Sequence, residues 1–321
     1  MHIFGESHGP AVGVTIDGCP PGVPFDAVDL STDLQRRKPG AMGTTPRIEE
    51  DRPEILSGCF NGFTSGAPIT IIFANRNTRP ADYEKLRKTP RPGHADFVAW
   101  KRYGGYSDPR GGGHFSGRLT LALVAAGALA KKILDTVSIQ AKLVRAGGDT
   151  HIERAVEQAV ESGDSVGGIV ECRATGLPTG WGEPFFDPVE SVISHLAFAV
   201  PAIKGIEFGS GFAAASMKGS EHNDPILDET GKTATNHAGG VNGGLTNGNE
   251  LVFRVAVKPT SSIAKKQESF SLETGKVEEM EVKGRHDACI ALRVPVVIEA
   301  ITAIALADLK LMAEAGKTHG K

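Results

Sequence analysis

Two segments, 116–135 and 294–315, keep a helical period while being rich in Ala and Ile and poor in charge. A helix apolar around most of its circumference must be covered on most sides. Two of them in one chain call for layers on either side, and the remaining periodic segments supply strands for that purpose. β-branched runs mark strands over 12–17, 69–73, 137–144, 166–174, 250–258 and 276–283. In the fifth, Leu251, Phe253, Val255 and Val257 share one face. Further helices are expected over 27–38, 95–102, 151–162 and 188–200. Asp26 and Ser116 fit N-caps, and Gly163 and Gly316 fit C-terminal stops. Strands and helices do not alternate regularly, which argues against a doubly wound sheet or a barrel. No linker or low-complexity stretch divides the chain. The expectation is one α+β domain over 1–321, with the Ala-rich helices buried between sheets.

Each long helix follows a loop of Gly, Arg and His: GGGHFSGR before the first, KGRHDACIALR before the second. The shared layout hints at an internal duplication without readable identity. Similar loops recur as GESHG (5–9), RPGHAD (91–96) and TNHAGG (235–240). Gly makes up 40 of 321 residues, roughly one in eight against a typical ~7%, and the excess lies in these loops. Glycine lets backbone amides approach a ligand and take φ > 0, while His, Arg and Asp supply acids, bases and anion contacts. Five such loops read as one composite site for an anionic ligand.

The net charge of −3 leaves no global field for nucleic acid or an acidic membrane. An anion must be met by local clusters: Arg36, Arg37 and Lys38, then Arg47 and Arg52, then Arg87, Lys88 and Arg91. Cys19, Cys59, Cys172 and Cys289 show no CxxC spacing and fit free thiols in a reducing compartment. The longest apolar run, 119–130, is too short for a bilayer, and GESHG begins within five residues of the start. These features point to a soluble, cytoplasmic protein.

GSGFAA at 209–214 matches a dinucleotide fingerprint, but no long helix follows it, so a tight turn is expected. GKT at 231–233 and 316–318 lacks the upstream glycine of a P-loop. No helical His pair supports a metal site. Ser7 and His8, adjacent on an extended backbone, would point to opposite sides and form no dyad. Lys258, Pro259, Thr260, Ser261 and Ser262 leave the best strand as a phosphate cradle or as a plain loop exit. Arg36–Lys38 closes a helix, where cations complement the dipole.

Taken together, GESHGPAVGVTIDGCPPG, RPGHAD, RGGGHFSGR, KPTSS and KGRHDACIALRVPVVIEA resemble the chorismate synthase family, in order and separation, over essentially the whole chain. The resemblance implies a β-α-β sandwich assembled as a homotetramer. It implies loss of phosphate and a proton from 5-enolpyruvylshikimate 3-phosphate, a redox-neutral 1,4-elimination needing reduced FMN. One phosphate and two carboxylates on that substrate account for arginine-rich loops on a mildly acidic protein. By the same resemblance His8 stands beside the leaving phosphate and His94 near the flavin. Asp287 relays the C6 proton through flavin N5, and Ser7 and Ser116 assist. For FMN it points to His114, Phe115, Ser116, Ala202, Gly243, Lys258 through Ser262, and Arg285. For substrate anions it points to Arg37, Arg91, Arg118 and Arg293, with Arg37 also the NADPH position of bifunctional members.

The chain departs from the family at His114-Phe115, where Arg-Ser is common, and at Pro201, where Asn is frequent. The loop PGAMGTTPR is one residue short, Gly43 falls near a usual basic position with Arg47 as its substitute, and 144–155 is short. About ten residues and an opening strand precede GESHG in relatives. Their loss would leave His8 by an unpaired edge, so Met1 is expected to be a misassigned start or a truncation. The competing readings are a catalytically inactive flavin- or phosphate-binding homologue and a metal-dependent phosphohydrolase.

Overall fold

Each of two antiparallel sheets buries one face of β-branched residues. The first joins β1 (His2–Gly5), β2 (Ala11–Ile16), β3 (Glu54–Ser57) and β4 (Ile69–Ala74) in the order β1-β2-β4-β3. Val12 pairs with Phe73 and Val14 with Ile71, all fully buried. The second joins β5 (Ser138–Ala146), β6 (Gly168–Thr175), β7 (Ile203–Phe208) and β8 (Leu251–Val257) in the order β5-β6-β8-β7. Leu251, Phe253 and Val255 face the core opposite Ala174, Cys172 and Val170. Each large apolar side chain so buried contributes about 1.5–3 kcal/mol. A computed structural model describes residues 1–47, 49–78, 88–282 and 286–316.

Among the described residues six helices of seven or more residues position the rest: α1 (Ser31–Arg37), α2 (Asp96–Tyr103), α3 (Thr120–Leu134), α4 (Ile152–Glu161), α5 (Val189–Ala199) and α6 (Pro295–Ala315). α3 packs against β2, α6 packs against β5 and β6, and the two helices pack against each other. The result is a sheet–helix–helix–sheet sandwich, which is why α3 is buried from Leu121 through Ala130. A Cβ on Gly127 would lie 2.3 Å from that of Ala300, so glycine alone permits this close crossing. Among the described residues no helix is long and apolar enough to cross a membrane.

A buried carboxylate sits inside the helical layer. Glu299 of α6 is buried and accepts from both terminal nitrogens of Arg36 (2.6 and 2.7 Å), from Lys131 (3.1 Å) and from the Ala141 amide (3.0 Å). Burial opposes its ionisation, but these donors outweigh it and lower its pKa.

The expected helices and strands are all present, with ends moved by a few residues. Asp26 accepts from Val28 in a capping box with Asp29, ahead of a 3-10 turn that leads into α1. GSGFAA forms a tight turn, with Gly209 and Gly211 at positive φ. The strand expected over 276–283 is Val277–Met280, and Lys283 and Arg285 lie outside the described residues. One expectation is corrected: an opening strand does precede GESHG. In β1, Ile3 pairs with Val14 and leans on the core, and Gly5, at φ 90°, ends the strand. Four residues are too few for a readable period.

Candidate active site

The first turns of α3 and α6 open onto one cavity of about 660 Å³, so two positive helix ends face the same space. Ser7, Arg91, His94, His114, Phe115, Ser116 and Arg118 line it, together with Ala202, Lys258 through Ser262, Asp287 and Arg293. Arg37 and Arg47 complete the wall. GESHG, RPGHAD, RGGGHFSGR and the described part of KGRHD therefore converge as expected. TNHAGG does not: Gly239 bonds Val252 at the start of β8, whereas the cavity takes the loop leaving the strand's other end. Seven strand residues put those ends about 20 Å apart. Gly243, at the turn of a short hairpin beside Pro188, also lies outside the cavity.

The triple glycine before α3 shapes the site. Gly111, Gly112 and Gly113 all have positive φ, and a Cβ on Gly111 would stand 2.3 Å from Nδ1 of His8. His8 is thus buried beneath this loop, while the Ser7 amide donates to Gly113 O at 3.1 Å. The Ser7–His8 segment is a turn, closed by Gly9 N to Glu6 O at 3.1 Å, and not the extended backbone assumed from sequence. Arg47 grips Ser7 at both its hydroxyl and its carbonyl (3.1 Å each). Asn75 holds the carbonyls of Glu6 and Gly9 (3.0 and 2.9 Å) and accepts from Arg118 Nε at 3.0 Å.

Each arginine of the wall has a carboxylate. Arg118 Nη1 is bonded to Asp51, but its Nη2 is a buried donor with no partner among the described residues. Arg47 donates to Glu49 at 2.8 Å and leaves Nε without one. Burial opposes ionisation of Glu49, yet Arg47 and the amides of Arg76 and Asn77 lower its pKa. Arg293 reaches Asp287 at 3.4 Å and the Arg37 carbonyl at 3.1 Å. Arg37 differs from expectation. It donates to Thr120 (3.0 Å), Gly117 O (3.1 Å) and Arg118 O (3.3 Å), with Asp51 at 3.6 Å. Burial, with Arg293 nearby, lowers its pKa to about 9, Asp51 opposing; at neutral pH it is a charged internal strut. Arg91 likewise spends its fork on Asp96 (2.7 and 2.8 Å) and reaches Ser262 at 2.9 Å. Asp51, Glu49, Asp96 and Asn75 escaped the sequence reading; for Asp96, its place inside RPGHAD was the available signal.

After β8, Lys258 donates to Ser261 at 2.7 Å, and the Thr260 hydroxyl is buried without a partner among the described residues. Burial and Lys204 lower the Lys258 pKa. Ala202, at φ 76°, accepts from the Lys258 amide at 2.9 Å. Ser116 caps the turn into α3, its hydroxyl accepting from Arg118 N at 3.3 Å. Asp287 accepts from the Thr45 amide at 3.1 Å. His114 contacts Gly5 O at 2.9 Å, and Phe115 tilts against Tyr103. Gly43 could not carry a basic side chain: its φ is 82° and a Cβ would meet Val156 at 2.3 Å. Arg47 commits its two terminal nitrogens to Ser7 and Glu49, which leaves only Nε to face a ligand. The unpartnered donors at Arg118, Arg47 and Thr260, in a cavity of cofactor-site size, fit an anionic ligand with a phosphate. Among the described residues no cluster of three His, Cys, Asp or Glu is placed for a metal ion.

A family model described as chorismate synthase matches residues 1–311. The chain is 65% identical over 313 residues to the chorismate synthase of Chitinophaga pinensis, covering 97% of this chain and 94% of that protein. It is 46% identical over 337 residues to that of Korarchaeum cryptofilum, covering 95% and 93%. A crystal structure of chorismate synthase superposes with a TM-score of 0.75 at 26% identity, covering 98% of this chain and 92% of the other.

Proposed function

Because the chain belongs to the chorismate synthase family, we propose that its arginine-lined cavity converts 5-enolpyruvylshikimate 3-phosphate to chorismate. The protein is a carbon–oxygen lyase of the shikimate pathway acting on a small-molecule substrate. The C3–O bond breaks with its electron pair leaving on phosphate, and C6 loses a proton. The electrons of that C–H bond remain in the ring as a new double bond, so no oxidant is consumed.

The observation that carries this reading is the unpartnered, buried Nη2 of Arg118 beside the Ser7–His8 turn. A substrate anion would satisfy it, in a cavity reached by two helix N-termini. His8, buried beneath Gly111 at the edge of the Ser7 wall, would supply a proton to the departing phosphate, worth roughly 10²- to 10⁴-fold. Asp287, fixed by Thr45 and Arg293, is the terminal acceptor for the C6 proton. Ser7 and Ser116 assist. His114, Phe115, Ser116, Ala202 and Lys258 through Ser262 would hold reduced FMN, and the family resemblance adds Arg285, which lies outside the described residues. When bound, that cofactor supplies electron density to the reacting ring and recovers it.

Arg37 has internal partners, so a nicotinamide nucleotide reducing the flavin would be held elsewhere. Gly243 does not line the cavity of its own chain, so the cofactor role is not proposed for it within one protomer. We place the enzyme in the cytoplasm as a homotetramer, which sedimentation velocity tests. Anaerobic incubation with reduced FMN and substrate should yield chorismate and phosphate in equal amounts. Phosphate release from unrelated esters, abolished by a chelator, would contradict the lyase reading and favour a metal-dependent hydrolase. No chorismate at all would favour the inactive homologue, which the intact His8, His94 and Asp287 argue against.

A further inference from the structure

The Asp96 carboxylate is engaged at both oxygens. Its Oδ2 accepts from the Arg91 amide (3.1 Å) and from Arg91 Nε (2.7 Å). Its Oδ1 accepts from Arg91 Nη2 (2.8 Å) and lies 2.6 Å from Nδ1 of His94. Burial opposes ionisation, but the hydrogen bonds from Arg91 and His94 hold this carboxyl well below the usual range.

Arg91 Nη2 is also 3.1 Å from His94 Nδ1. Guanidinium can only donate, so a bond to Nδ1 would require that nitrogen to be bare. A bare Nδ1 at 2.6 Å from an ionised oxygen would set two lone pairs against each other. The carboxylate contact is the shorter and carries full charge, so it decides where the proton sits. The other edge of the ring, Cε1 and Nε2, lies against Gly112, whose Cβ would stand 3.3 Å from both atoms.

We propose that Asp96 is a positioning residue that pins a proton on Nδ1 of His94, leaving Nε2 as the ring nitrogen that exchanges a proton with the cavity. The inference rests on the proposed function, in which His94 lies near the flavin. On protonation the Nε2 lone pair takes up the proton, the ring becomes imidazolium, and Asp96 stays ionised. Arg91, braced on Ser262, keeps the carboxylate aimed.

The test is magic-angle-spinning ¹⁵N NMR of ring-labelled histidine in the ligand-free protein, with His94 assigned by loss of its signals in His94→Gln. At a pH where the ring is neutral, His94 should carry its proton on Nδ1; a proton on Nε2 overturns the proposal. In Asp96→Asn, whose amide can turn its own N–H toward Nδ1, the tautomer should swing toward Nε2–H. Turnover should fall by roughly 100-fold or more. Retention of both the tautomer and the activity would equally overturn it. Should Asp96→Asn fail to fold, the wild-type spectrum still decides. Because the spectrum is taken without substrate or flavin, a protein that made no chorismate would leave this result standing.

Discussion

At Arg118 three of the guanidinium's directions are accounted for separately: Nε on Asn75, Nη1 on Asp51, and Nη2 buried and open. Lysine would keep the charge and lose the fork, so Arg118→Lys should lower kcat/KM by roughly 10- to 100-fold, the worth of one charged hydrogen bond. Steady-state kinetics check this, and unchanged kcat/KM would remove Arg118 from anion binding. Gly111 makes a complementary prediction. Its φ of 60° and the 2.3 Å approach to His8 leave no room for a methyl group. Gly111→Ala should therefore displace His8 and cost turnover by roughly 100-fold, with a crystal structure of the variant showing the shifted ring. An unmoved His8 with full activity would refute the placement. Sequence alone revealed which residue types gather at the site, but not their bonds. Arg37 and Arg91 looked like anion forks, and both are spent on internal partners. Arg37 spends its donors on Thr120 and two carbonyls and Arg91 on Asp96, partners that leave no periodic trace in the sequence.

The elements were largely legible because their signals are strong. β8 alternates cleanly and α3 and α6 carry long apolar runs with few charges, so burial on one face or on most sides follows directly. β1 was missed because four residues carry too little pattern, and TNHAGG was misplaced because sequence does not say which end of β8 faces the ligand. The close crossing at Gly127 gives a stability prediction: Gly127→Val should cost about 1–3 kcal/mol by overpacking, visible as a lower urea midpoint. An unchanged midpoint would mean the helices can part freely. Glu299 gives a pH prediction. Its folded pKa is depressed, so its stabilisation is present above the unfolded value of ~4.3 and fades as pH falls through the folded one. Glu299→Gln should destabilise at pH 7 by about 1–3 kcal/mol, and the gap from wild type should narrow on acidification. A constant gap across that range would show that the carboxylate's charge contributes nothing.

Across the whole molecule, the hinted duplication is visible as topology. Both sheets run first–second–fourth–third in strand order, and each half ends in a long helix entered through a Gly/Arg/His loop. α1 and α5 hold matching places between the second and third strands of their halves. The two halves pack helix to helix, so both entry loops meet at one cavity, and a single site is built from a repeated unit. The proposed function then reduces to one claim: the elimination moves electrons within the substrate and returns the flavin unchanged. The direct measurement is the number of chorismate molecules formed per reduced FMN, under strict anaerobiosis and with no other reductant. Many turnovers per flavin, with the flavin still reduced at the end, is the predicted result. One chorismate per flavin, with stoichiometric oxidation, would contradict it.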